Sequence, residues 1–225
     1  MKKQAGFTLI ELAIVLVIIG LLLGGVLKGQ ELINSAKVKN LASDFRNIPV
    51  YIYGYQDKFK ALPGDDKSAA VHLGVAADST KIGNGDGALG GNWYDVTSAS
   101  EAYMLWQHVR LAGLATGATD MANTDWRPTN ADGNPIGIMA GTNDATKAAV
   151  KDKDGNAIRG SYVICSKGIL GKYVTQLDVT MDNGDATTGS MIAYEFSSTD
   201  GLGKSPPTSD PVIDPAKSYV VCYGV

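Results

Sequence analysis

Hydrophobic positions fall into two regimes along this chain, and they meet near Lys28. From Phe7 to Leu27 the apolar run is broken by one charge, Glu11. At about 1.5 Å per residue, a helix over this run is roughly 30 Å long, the thickness of a bilayer's hydrocarbon core. It can span a membrane. Beyond Lys28 the apolar residues thin to Val38, Leu41, Phe45, Ile48, Ile52, Tyr55, Phe59 and Leu62. These recur at alternating spacings of three and four, one stripe on a continuing helix. Lys37, Lys39, Asp44, Arg46, Asp57 and Lys58 mark the polar face. Pro49 removes one backbone donor and predicts a kink without a break. Leu62-Pro63-Gly64-Asp65 is expected to end the helix by turn chemistry.

The remaining chain is punctuated differently. Asp65 to Ala99 reads as turns and glycine-rich loops, densest from Ile82 to Gly91. Ser98 and Glu101 have the spacing of a capping box, and Ala102, Leu105, Trp106, Val109 and Ala112 continue at helical spacing to Gly113. Asp120 to Lys153 is a polar excursion, a reasonable place for a variable binding surface, interrupted by a short strand from Ile136 to Ala140. Further strands are expected at 161–165, 189–196 and 218–223. Leu170 to Asp182 fits a helix through Leu170, Val174, Leu177 and Met181, or a strand through Leu177, Val179 and Met181; the helix is favoured. Pro206, Pro207 and Pro211 keep the approach to the last strand irregular. The fold class is therefore α+β: a long N-terminal helix packed on a small antiparallel sheet with one or two extra helices.

Glu11 is the anomaly of the apolar run. A carboxylate near the start of a membrane helix costs on the order of 1–3 kcal/mol unless something neutralises it. Lys2 and Lys3 form a basic leader, but no Ala-x-Ala site follows the apolar stretch, and the small residue Gly6 precedes it. A cut at Gly6 would keep the helix. The stretch Lys2-Lys3-Gln4-Ala5-Gly6-Phe7-Thr8-Leu9-Ile10-Glu11-Leu12 resembles the prepilin signature of the type IV pilin superfamily, which includes the pseudopilins of type II secretion. The resemblance implies that a prepilin peptidase cleaves between Gly6 and Phe7 and methylates the new amine of Phe7. It also implies that Glu11 pairs with the cationic N-terminus of a neighbouring subunit. The expected divisions are a leader (1–6), a transmembrane and assembly helix (7–27), its amphipathic continuation (28–62) and a globular head (63–225). Gly20, Gly24, Gly25 and Gly29 form two G-x-x-x-G patterns that favour close helix packing in lipid.

Charge and cysteine content sharpen this picture. The formal net charge is −3, and −5 after Lys2 and Lys3 depart; no basic block is present, which argues against a nucleic-acid partner. The leader lysines keep the N-terminus cytoplasmic and send the head across the membrane into an oxidising space. There Cys165 and Cys222 are expected to be bridged, the alternative being two buried thiols. A bridge to the last strand also resembles the C-terminal disulfide loop of many pilins. The segment from Leu177 to Gly184 resembles a helix-then-turn piece of some larger pilin-like proteins.

No catalytic constellation emerges. His72 and His108 have no Cys or His at ligand spacing, and His108 reads as a surface or satisfied core residue. Asp65 and Asp66 read as solvated turn carboxylates. No Walker or Rossmann loop occurs, so no cofactor is expected. Asp78, Asn84 and Asp86 could offer oxygens to Ca²⁺, which stabilises the heads of some pseudopilins, but they lack the full calcium-loop series; a tight turn is the preferred reading. The expectation is a structural, non-enzymatic pilus subunit, held by membrane lipid as a single-pass inner-membrane protein until assembled. Its partners would be copies of itself or related pilins, the prepilin peptidase, and the assembly platform with its ATPase. The alternatives are a type II secretion pseudopilin and a membrane-tethered binding module that does not polymerise.

Overall fold

The computed structural model describes residues 8–74, 82–123, 126–195 and 213–225. Both regimes of the hydrophobic pattern lie on one helix, α1 (Leu9–Phe59). Its second half buries Val38, Leu41, Phe45, Ile48, Ile52 and Tyr55 in the head, and the helix passes Pro49 uninterrupted. It stops at Phe59 rather than Leu62. Lys60 takes a left-handed conformation (φ 55°) and donates its N–H to Gln56 O at 2.8 Å, closing the last turn. The turn comes early because Pro63 disfavours helical geometry at Leu62, which instead buries against the core. Gly64 follows at φ +90°, where a Cβ would meet Glu101 O, so glycine is required there.

Two helices of the head depart from the expected pattern. Within the stretch expected to be all turn and loop lies α2 (Ala69–Leu73), too short to show periodicity. The next helix, α3 (Glu101–Leu111), has Ser100 at its N-cap position without a side-chain cap bond, and the Ser98–Glu101 capping box does not form. Glu101 turns its carboxylate to the glycine loop instead, accepting N–H bonds from Asn84 and Gly90. Of the expected apolar face of α3, Ala102, Leu105, Trp106 and Val109 are buried; Ala112 is the C-cap and only partly buried, and Gly113 (φ +77°) follows it.

The sheet contains β1 (Ile136–Ala140), β2 (Tyr162–Leu170), β3 (Met191–Glu195) and β4 (Ser218–Gly224), in the order β1-β2-β4-β3 with every pairing antiparallel. Between β2 and β3 stands α4 (Gly171–Met181), packed on α1. Leu177 is fully buried while Val179 is 66% exposed, the division a helix imposes and a strand would not. Asp182 then accepts the N–H groups of Ser190 and Met191, which sets the start of β3. Expectations at Phe196, Pro206, Pro207 and Pro211 lie outside the described residues.

Alternate residues of each strand enter two different cores. Ile164, Tyr219 and Val221 join the side chains of α1, α3 and α4; Val163, Cys165, Val220 and Cys222 face the other way, onto Trp93, Val150 and Ile158. The sheet is covered on both faces, which is why its strands read as short apolar runs without polar alternation. The polar excursion is thus partly a lid: Trp126 and Val150 are almost wholly buried.

Cys165 and Cys222 oppose each other on β2 and β4 and are joined by a disulfide across a sequence separation of 57. A cross-link closing a loop of this length restricts the unfolded chain by about 2–4 kcal/mol. Replacing both cysteines by alanine should therefore lower the stability of the full-length protein in micelles by that much, with a lower urea midpoint and a larger m-value because the unlinked unfolded chain exposes more surface. An unaltered midpoint would show that the bridge contributes nothing to the head.

Candidate functional site

Three hydrogen bonds tie Thr8 to Glu11 at the start of α1. Thr8 is the N-cap: its hydroxyl accepts the N–H of Glu11 at 3.3 Å, while Glu11 Oε2 accepts the Thr8 N–H at 2.8 Å and the Thr8 hydroxyl at 2.7 Å. This reciprocal capping box satisfies two helix-end donors and is worth about 1 kcal/mol. The sequence reading of Glu11 overlooked it, although Thr-x-x-Glu is the standard signature. One oxygen of the carboxylate therefore already has local partners, and Glu11 Oε1 is in none of the described hydrogen bonds. Gly6 and Phe7, the expected processing site, lie outside the described residues.

From this cap the helix is an uncovered apolar rod. It contains a stretch long and apolar enough to cross a membrane, none of it buried against the other described residues. Leu9, Leu16 and Leu21 are each at least 70% exposed. A Cβ at Gly20, Gly24, Gly25 or Gly29 would meet nothing within 4 Å, so these close-packing positions have no partner among the described residues. Lys28 and Glu31, paired at 2.7 Å, mark the polar boundary.

A second polar assembly closes the other end of α1. Asp65 and Asp66 are not solvated turn residues but buried ones. Asp65 accepts the N–H groups of Gly85, Asp86 and Gly87, and with Glu101 it pins the loop from Asn84 to Gly90 by five backbone donors. Asp66 accepts from the Tyr55 hydroxyl at 2.7 Å and the Ser68 N–H at 2.8 Å, and lies 2.7 Å from His72 Nδ1. Because an ionised carboxylate only accepts, that His72 nitrogen carries the proton. His108 is fully buried and its Nδ1 accepts the Gly64 N–H at 3.0 Å. Sequence distance hid the assembly: the partners of Asp65 and Asp66 come from α1, α2 and a loop about twenty residues on.

One oxygen each from Asp65, Asp86 and Glu101 lies within 4.8 Å of the others, the arrangement among the described residues through which a cation could be held. Any such ion would share the Asp65 and Glu101 oxygens with the five amides already bonded to them. Asn84, which could have offered an oxygen, spends its side chain on Asp86, its Oδ1 accepting the Asp86 N–H and its amide donating to the Asp86 carboxylate, as in the tight turn that was the preferred reading. Asp78 lies outside the described residues.

The geometry defines a class: an α+β head carried on a helix whose projecting half is built for an apolar surrounding. The first 27 residues match the family described as the prokaryotic N-terminal methylation motif, the signature of type IV pilins and pseudopilins. The motif supports a pilin- or pseudopilin-like protein processed by prepilin peptidase and assembled with other pilins, and with the apolar helix it fits single-pass membrane anchoring. Among curated proteins the chain has no match.

Burial pushes the Asp66 carboxyl up, but the bonds from His72, Tyr55 and Ser68 outweigh it and hold it below its ordinary value. A depressed carboxyl contributes stability that is fully present above its unfolded value, about 4, and is lost as pH falls through the folded one. The acid limb of head stability should therefore flatten in Asp66→Asn, which should also be about 1–3 kcal/mol less stable near neutrality. Urea titrations of both proteins from pH 7 to 2.5 test this; parallel acid limbs would remove Asp66 as their source.

Proposed function

We propose that this protein is a structural, non-enzymatic subunit of a type IV pilus-like filament. In this reading Lys2 and Lys3 hold the leader in the cytoplasm, the helix crosses the inner membrane once, and the head faces the periplasm. Prepilin peptidase cuts between Gly6 and Phe7 and methylates Phe7. The assembly platform and its ATPase then draw the subunit from lipid into a filament, where rods of neighbouring copies cover one another. The observation that carries this is the rod itself: an apolar surface about 30 Å long that its own head leaves bare, bearing one carboxylate.

Glu11 would act in two settings. In the membrane it closes the capping box with Thr8; in the filament its charge meets the Phe7 amine of an adjoining copy, fixing register and removing an uncompensated charge from an apolar environment. The chemistry of the head supports a scaffolding role, since Asp65, Asp66, Glu101, Tyr55 and both histidines bond to each other or to backbone.

Substituting Glu11→Gln separates the two settings, because glutamine also serves in a capping box. The variant should insert, be processed and retain its helix, yet fail to enter filaments, reducing sheared fibre at least about tenfold for a lost ion pair of ~1.4 kcal/mol or more. Fibre assembly at the wild-type level would instead favour a tethered module that does not use this pair.

A further inference from the structure

A cavity of about 360 Å³ opens between α1 and the chain running from α3 to β1. Two arginines line it, Arg110 from α3 and Arg127 just before β1. Arg110 is only 9% exposed. Its Nε donates to Thr116 O, and its Nη1 donates to Ala118 O and Trp126 O at 2.9 and 2.6 Å, leaving Nη2 without an acceptor among the described residues. Its guanidinium packs against the Trp126 ring, 5.0 Å from the centroid. Arg127 commits Nη2 to Tyr94 O at 3.0 Å and keeps Nε and Nη1. Neither arginine enters an ion pair with a described residue. Burial lowers the proton affinity of both, opposed at each by Tyr103 and at Arg127 also by the Asp95 carboxylate, which lies too far off to close an ion pair, so neither cation has a full counter-charge in direct contact among the described residues. Backbone carbonyls supply partial charges only.

The other walls narrow what could supply that charge. Asp44 lines the same cavity, but its carboxylate is engaged by the Ala131 N–H at 2.7 Å and pairs with neither arginine. It places one fixed negative charge where a second anion must fit. Ile48, Tyr51 and Trp106 add apolar surface. The remaining Nη2 donors of Arg110, the uncommitted donors of Arg127, one repelling acid and a short apolar wall complement a singly charged oxyanion on a small carbon body; a phosphate dianion meets greater repulsion.

We propose that this cavity binds a small monocarboxylate, with Arg110 and Arg127 as its anchors. Sodium propionate serves as the probe, with full-length protein dispersed in micelles and saturation-transfer NMR as the readout. Wild type should give a saturable propionate signal that inorganic phosphate at equal ionic strength does not displace. Arg127→Gln should weaken binding about tenfold, the worth of one charge-assisted hydrogen bond. Asp44→Asn should act with the opposite sign, tightening propionate and letting phosphate compete, a gain that misfolding cannot produce. No saturable signal from wild type, wild-type affinity in Arg127→Gln, or unchanged selectivity in Asp44→Asn would each overturn the proposal. In assembled fibres, which rest on the filament reading, retained binding assigns the carboxylate to a free molecule, and blocked binding assigns it to an acidic side chain of an adjoining copy. The dispersed-protein result stands independently of that reading.

Discussion

One helix has to satisfy two solvents, and the rest of the structure follows from how α1 does so. Residues from Val38 onward need a core, and the head provides it by wrapping α3, α4 and one face of the sheet around a single stripe. Residues before Lys28 need an apolar surrounding that the chain does not provide. Because both halves share one continuous hydrogen-bonded rod, whatever holds the first half also positions the head. Water is a poor solvent for such a rod. Each fully exposed leucine or isoleucine forgoes about 1.5–3 kcal/mol of burial, so a bilayer or a bundle of like helices is strongly favoured.

The polar groups are arranged around the same constraint. At the membrane end the capping box allows a carboxylate to sit in an apolar run by giving it local donors. At the far end, where α1 stops at Lys60, Tyr55 reaches Asp66 and Gly64 reaches His108, so the chain's reversal is fastened by buried hydrogen bonds rather than by turn propensity alone. Asp65 and Glu101 then fold the glycine loop back over that reversal. Buried networks of this kind are stabilising only when nearly every donor and acceptor is matched, which is the case for both carboxylates.

Much of this was legible from spacing. The stripe from Val38 to Tyr55 is long and regular, and it lies on the buried face of α1. Strands covered on both faces appear as compact apolar runs, so β1 to β4 were recognisable, whereas the segment after Leu170 fitted both periods, with the helix favoured, and only the exposure of Val179 beside the buried Leu177 decides for the helix. The misses share a cause. Ser98 and Glu101 have capping-box spacing, but the loop from Asn84 to Gly90 competes for the Glu101 carboxylate and wins with two amides. Asp65 and Asp66 looked solvated because local turn chemistry says nothing about which distant backbone will close over them. The Thr8–Glu11 box was written in the sequence, but the search for a distant partner of Glu11 obscured its nearest one.

The central claim is that the apolar rod is retained after processing and becomes the new N-terminus. Mass spectrometry of the N-terminal peptide of the mature protein tests it most directly. The account predicts a chain that starts at Phe7 and carries one methyl group on its α-amine. A chain still starting at Met1, or one starting beyond Leu27, would contradict it.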